Sequence, residues 1–228
     1  MSIALIGGAG EGLGAALGRR FERGGYEVVL ASRTQESLGK ADLRDETQVV
    51  ALFDRVEKRA PIEVAVFNAG ANFRASILDT PADMFEKVWR LGCYAGFLFG
   101  REAAKRMVPR GKGTILFTGA TASVRGAAQF AAFAAAKGGL RQVAQSLARE
   151  LGPKNIHVAH VVIDGMIDNR RTRERMAERR KELNLNTDLP PEGMLATDAI
   201  AELFWQLHVQ PRSAWTFEAD LRPWAEKF

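Results

Sequence analysis

A single cysteine, Cys93, leaves no partner for an intramolecular disulfide and no ligand set for a cysteine-held zinc. The chain is therefore expected to fold without metal or disulfide, in a reducing, cytoplasmic setting. Histidine is scarce as well. Of the three, His160 lies inside an apolar run and reads as a hydrogen-bonded core residue, while His157 and His208 read as peripheral. No apolar run reaches the length of a membrane span, and the opening "MSIALIGGAG" enters a glycine cluster with no basic stretch before it, so neither a signal peptide nor a membrane association is expected. Internal repeats, low-complexity segments and interdomain linkers are missing too, which at this length predicts one domain, 1–228.

A large charge excess is also lacking. The net charge of +5 comes from 32 basic and 27 acidic residues, and much of the surplus sits in "NRRTRERMAERRKEL", Asn169 to Leu183. Arg171, Arg175 and Arg179 recur every fourth residue beside Glu174, Glu178 and Glu182, the pattern of a solvated, salt-bridged helix face. Docking of an anionic substrate or carrier is the sharper reading. Without aromatic interleaving or a recognition motif, nucleic acid is not an expected partner.

What is present is a βαβ rhythm: "SIALIG", a helical stretch from Leu13 to Arg23, "YEVVLAS", Val49 to Arg59, then "IEVAVFN". It continues through a long helical stretch from Pro81 to Val108, "GTILFTG", a second from about Gln129 to Leu151, and "IHVAHVVID". Strands apolar on both faces require helices on both sides of a parallel sheet. The expected fold is α/β, a single Rossmann-like doubly wound sheet of about seven strands. Only about a dozen residues separate "YEVVLASR" from the helix at Asp45, so one helix must be shortened or missing, with "TQESL" as its expected remnant and "GKADL" as a short third strand. Past Asp164 come the charged segment, the Pro190 and Pro191 break, a helix near Ala199 to His208 and a last strand in "AWTFEADL". Residues 169–211 read as a substrate lid with C-terminal helices.

"IALIGGAGEGLGAALGRRF" places Gly8, Gly12 and Gly14 between a strand and a helix start, where a sharp turn needs residues without a β-carbon and exposed N–H groups attract a diphosphate. The strand before and the helix after distinguish this loop from a plain tight turn. At the end of the second strand, Ser32, Arg33 and Thr34 offer a guanidinium and hydroxyls rather than an acid, which suits a 2′-phosphate and favours NADP(H) over NAD(H). Glu11 opposes this by repelling a phosphate, or pairs with Arg33.

Those glycines, together with Asn68, Ala69 and Gly70 after a later strand and with Phe133 four before Lys137, resemble the short-chain dehydrogenase/reductase family over nearly the whole chain. The resemblance implies that Gly8, Gly12, Leu13 and Gly14 approach the diphosphate, that Asp42 and Leu43 lie beside the adenine, and that Asn68, Ala69 and Gly70 line the ribose side. It also implies that Gly165 and Ile167 meet the carboxamide, and that a homodimer or homotetramer forms on the two long helices. Gly7 stands where the family has threonine, which loosens the loop. The family's proton relay is an Asn-Ser-Tyr-Lys set, and here only Lys137 matches. Phe133 holds the tyrosine position, Ala120 the serine position and Gly92 the asparagine position, which puts the relay and the helix kink at Gly92 in doubt.

A phenyl ring has no proton to give. Lys137 is left with a binding role on the ribose. Substitute donors are Tyr94, Asp164 (where the family has proline) and Asp168, or a shifted hydroxyl from Thr118, Thr121 or Ser123. Each has a plainer reading: Tyr94 as helix packing, Asp164 as a turn residue, Asp168 as the N-cap of the charged helix. The implied substrate is a small carbonyl or alcohol. The tail lacks the family's usual glycine-pair ending, and its Trp215, Phe217, Trp224 and Phe228 are expected to cover a sheet edge or pack between subunits.

Overall fold

The apolar runs become strands because both faces find cover. In the computed structural model, β1 (Ile3–Gly7) and β5 (Ile156–Ile163) are buried at every residue. Between them come α1 (Leu13–Arg23), β2 (Glu27–Ala31), α2 (Glu46–Glu57), β3 (Ile62–Phe67), α3 (Ala82–Trp89), α4 (Ala95–Met107), β4 (Gly113–Thr118) and α5 (Ala131–Leu151). After β5 follow β6 (Ile167–Asp168), α6 (Arg170–Leu183), β7 (Leu195–Ala196), α7 (Thr197–His208) and β8 (Glu218–Leu221). The structure describes residues 1–183 and 190–226, and their side chains except those of Ser37 and residues 179–183.

The main sheet has six strands, in the order β2-β1-β3-β4-β5-β8, all pairs parallel. This corrects the expected seven. "GKADL" contributes only a single bridge, Ser32 to Lys40, and "TQESL" no more than a short 3₁₀ turn at Ser37–Gly39. The dozen residues there are too few for a helix and a paired strand. A small second sheet of β6 and β7, unforeseen from the sequence, joins the segments on either side of α6.

Two apolar layers hold the helices to the sheet. Phe53, Phe67, Phe99, Phe117 and Leu140 fill the layer under α2, α4 and α5, and Leu17, Phe21, Ile200 and Phe204 fill the one under α1 and α7. Each such side chain stabilises the fold by about 1.5–3 kcal/mol relative to exposure. Since β1 pairs with β2 on one side and β3 on the other, the strand order reverses at β1, and a crevice opens beyond its C-terminal end.

His157 and His208 are not peripheral. His157 is 3% exposed and stacks on Trp215 at 4.9 Å, and His208 bridges the hydroxyls of Tyr26 (2.8 Å) and Thr114 (2.9 Å). Neighbours distant in sequence, the end of α7 and the tail, bury them. Of the other tail aromatics, Phe217 packs on the first layer, Trp224 stays exposed with its indole N–H on Pro191 O, and Phe228 lies outside the described residues.

Burial pushes His160 and His208 down to about 4. Unfolded, they titrate near 6.5, so below that pH the unfolded chain binds more protons. Stability should be full above pH 6.5 and decline towards pH 4 by about 1.4 kcal/mol per pH unit for each histidine. Urea midpoints measured between pH 7 and 4.5 check this; a flat profile would refute the neutral burial of both rings.

Candidate active site

The crevice beyond β1 is shaped by glycines that nothing larger can replace. Gly8 has φ +85°, and a β-carbon there would lie 2.4 Å from Ala69 N. The first loop is in turn tied to the segment after β3: Asn68 N donates to Gly7 O (2.7 Å) and Asn68 Nδ2 to Gly8 O (3.2 Å). A β-carbon on Gly14 would meet Ala9 Cα at 2.8 Å, so the loop folds directly onto the start of α1. Gly12 caps that helix without a side chain, no acid stands in the first turn, and buried Leu13 anchors it. A cradle of bare backbone at the positive end of a helix fits a diphosphate. Gly7 is no looser for lacking a side chain, because the Phe99 ring occupies the space a β-carbon would need, at 2.7 Å.

At the end of β2, Arg33 is exposed and the Ser32 and Thr34 hydroxyls meet at 3.1 Å. Asp42 is not open for recognition by itself. Arg44 grips it through Nε (2.9 Å), Nη2 (2.6 Å) and its backbone N–H (3.0 Å), and that hydrogen-bonded guanidinium holds the carboxyl below the usual range, with Arg33 adding to the effect. Leu43 is buried beneath Gly7. Arg44 escaped the sequence reading, although its place two after Asp42 is a signal for such a local pair. Glu11 pairs with Arg170 of α6 (3.4 Å) rather than Arg33, both side chains being largely exposed.

Lys137 projects from α5 to the same end of the sheet. It is buried, its Nζ donates to Thr118 O (2.7 Å), and a β-carbon on Gly70 would lie 3.3 Å from Nζ. Burial lowers its pKa to about 8. Phe133 is one helical turn earlier and half-buried. Gly92 lies in a π-helical turn, Arg90–Tyr94, joining α3 to α4, so the kink persists without an asparagine; a β-carbon there would meet Ala136 Cβ at 2.9 Å.

Of the substitute donors, Asp164, Asp168 and Thr121 are engaged elsewhere. Tyr94 stacks on Trp89 and faces Phe97, the helix-packing role. Asp168 is gripped by Arg173 at 2.5 and 2.7 Å and is not the N-cap of α6; Asn169 is, accepting from Thr172 N at 3.0 Å. Asn169 also lies against Gly12, at 3.4 Å from where a β-carbon would sit, which brings the start of α6 over the glycine loop. The Asn-x-x-Thr spacing was the signal for that cap. Asp164 accepts from Thr121 Oγ1 (2.5 Å) and faces Arg222 (3.3 Å). Ser123 Oγ accepts from Ala120 N (3.0 Å), and the Thr118 hydroxyl is buried without a partner. Gly165, at φ +146°, packs against Pro223, and Ile167 opens β6.

The sequence pattern described as short chain dehydrogenase matches residues 2–180. This chain belongs to the short-chain dehydrogenase family. A short-chain dehydrogenase/reductase of Armillaria gallica is 32% identical over 176 residues, covering 68% of this chain and 67% of that one. Among solved structures, the short-chain dehydrogenase from Rhodopseudomonas palustris is 41% identical, with a TM-score of 0.80 over 98% of this chain and 99% of that one. An actinorhodin polyketide ketoreductase solved with NADPH shares the fold at 20% identity, with a TM-score of 0.88 over 100% and 98% of the two chains. Among the described residues no helix is long and apolar enough to cross a membrane, and no group of three or more His, Cys, Asp or Glu could hold a metal.

Arg171 and Arg175 of α6 are exposed and make no ion pair among the described residues, whereas Arg170 pairs with Glu174 (3.7 Å) as well as Glu11. The side chains of Arg179 and Glu182 lie outside the described residues.

Proposed function

We propose that this chain is an NADP(H)-dependent short-chain oxidoreductase acting on a small carbonyl or alcohol through an atypical catalytic centre, as a single cytoplasmic domain whose residues 169–211 form the lid. The observation that carries the reading is the glycine cradle at Gly8 and Gly14 facing the same crevice as the buried amine of Lys137. Bound NADPH supplies a hydride. The chain's own residues hold it: Gly8, Gly12, Leu13 and Gly14 at the diphosphate, Ser32 and Arg33 at the 2′-phosphate, Asp42 and Leu43 at the adenine. Asn68, Ala69, Gly70 and Lys137 take the ribose, and Gly165 and Ile167 the carboxamide. Phe133, Ala120 and Gly92 fill the positions where the family resemblance expects the tyrosine, serine and asparagine. Phe85, Trp89 and Phe97, each more than a third exposed along α3 and α4, suit burial between subunits of a homodimer or homotetramer.

Calorimetric titration with NADPH and NADH tests the cofactor reading. NADPH is expected to bind more tightly, and Arg33→Ala to reduce that preference by about tenfold, the worth of an exposed charge-assisted contact. Equal affinities in the native protein would sink the assignment. The three substituted positions favour a second reading, a non-catalytic NADP(H)-binding protein that reports redox state to a partner. It predicts stabilisation that differs between NADPH and NADP⁺, with no turnover on any carbonyl.

A further inference from the structure

Resting on the oxidoreductase reading, we propose that the ammonium of Lys137 is itself the group that protonates the substrate oxygen, so that the residue is a catalytic acid and not only a holder of the cofactor ribose. The case begins with elimination. At this end of the sheet, Thr121 donates its hydroxyl proton to Asp164 and Asp164 faces Arg222, while Ser123 Oγ accepts from Ala120 N and, as an alcohol, is far too weak an acid to release its own proton near neutral pH. Asp168 is gripped by Arg173, and the Tyr94 ring stacks on Trp89 and packs against the core. Thr118 shares the parity of Leu116 along β4, so its hydroxyl faces the α1 side of the sheet, away from α5.

Lys137 differs from all of these. Its Nζ makes one hydrogen bond, to Thr118 O at 2.7 Å, and an ammonium carries three protons, so two remain to be donated. The amine lies directly beside Gly70: a β-carbon there would lie 3.3 Å from Nζ, and Gly70 is itself exposed. With one of the two protons given to the cofactor ribose, the other would serve a substrate oxygen lodged beside Gly70.

The surroundings also loosen the proton. Among the described residues no carboxylate is paired with Lys137. Glu218 of β8 is engaged by Arg141 of α5 at 2.6 and 2.8 Å and by the His160 ring of β5 at 3.0 Å. His160 stays neutral at working pH because burial pushes it down to about 4, so its ring neither repels nor offsets the charge of the amine. Burial without a counter-ion disfavours the charged form, and the amine titrates at about 8 rather than 10.5. A proton held at that strength is suited to transfer near neutral pH.

The step would balance with bound NADPH as the hydride source. The carbonyl carbon would gain that hydride as its π bond breaks; the oxygen would gain a proton as an N–H bond of Lys137 breaks and an O–H bond forms. The neutral amine then recovers a proton from water once the alcohol has left.

The test begins on the protein without substrate, by nitrogen-15 NMR titration of the Lys137 amine. A midpoint near 8 is expected; one near 10.5 overturns the proposal while leaving the oxidoreductase reading standing. Single-turnover carbonyl reduction at saturating NADPH should then fall about tenfold per pH unit above that midpoint, and a rate flat to pH 10 overturns it equally. Lys137→Arg keeps a cation for the ribose but has no proton to release near neutral pH. It should bind NADPH by calorimetry within about threefold of the native protein yet lose about 10²-fold or more in rate. Retention of the native rate would show that Lys137 only holds cofactor. If neither the native protein nor Phe133→Tyr reduces any of a broad carbonyl panel with NADPH bound, the oxidoreductase reading fails and takes this inference with it.

Discussion

Replacing Phe133 by tyrosine is expected to raise the rate of carbonyl reduction by about 10²-fold, the low end of what a positioned general acid contributes. Residues four apart on a helix share a face, so the new hydroxyl would stand one turn from the Lys137 amine on α5. The neighbouring ammonium would favour the phenolate and so make the phenol a better acid. The gain stays at the low end because Ala120 offers no hydroxyl to orient the substrate oxygen, and the Ser123 oxygen is held by the hydrogen bond it accepts from Ala120 N. Single-turnover oxidation of NADPH by an aldehyde panel measures it. Adding Ala120→Ser to Phe133→Tyr should raise the rate again. Unchanged turnover in the double variant, with cofactor binding intact, would show that the crevice does not present a carbonyl to α5 at all.

The second large effect is on binding and stability together. Gly8→Ala is expected to destabilise the protein by about 2–6 kcal/mol, combining the cost of a positive φ for alanine with overpacking against the Ala69 backbone. The neighbour at 2.4 Å is main chain, not a flexible side-chain end, so it cannot move aside without shifting the Asn68–Gly70 segment. That segment carries the opening beside Lys137, and NADPH affinity should fall below detection. Gly10→Ala is the control: a β-carbon there meets nothing within 4 Å, and the change should be close to neutral in both melting temperature and affinity. Similar losses in the two variants would mean that the loop responds to flexibility rather than to the close approach at Gly8.

Much of the fold was legible because its signals are local. Apolar strands alternating with helical stretches announced a parallel sheet covered on both sides, and the boundaries of α1 were read to the residue because a glycine loop begins it and Gly24 ends it. The short third strand expected in "GKADL" proved to be only a single bridge. Other features depend on contacts between distant segments. The burial of His157 and His208 comes from the tail and α7 packing back on the sheet, which no window around either residue reveals. The capture of Asp42 by Arg44 has a local signal but no unique reading, since the same two residues could both have pointed to solvent.

The sequence by itself determined the class of fold and the glycine cradle, because periodicity and backbone freedom are properties of short stretches. Tertiary structure alone decided which groups are free to act. It tied Asp164 to Thr121 and Arg222, gave Asp168 to Arg173, turned Tyr94 onto Trp89, and left the Lys137 amine buried with one hydrogen bond and no paired carboxylate. The physical reason is that a side chain's acidity and availability are set by its neighbours in space, and those neighbours come from strands and helices far apart along the chain.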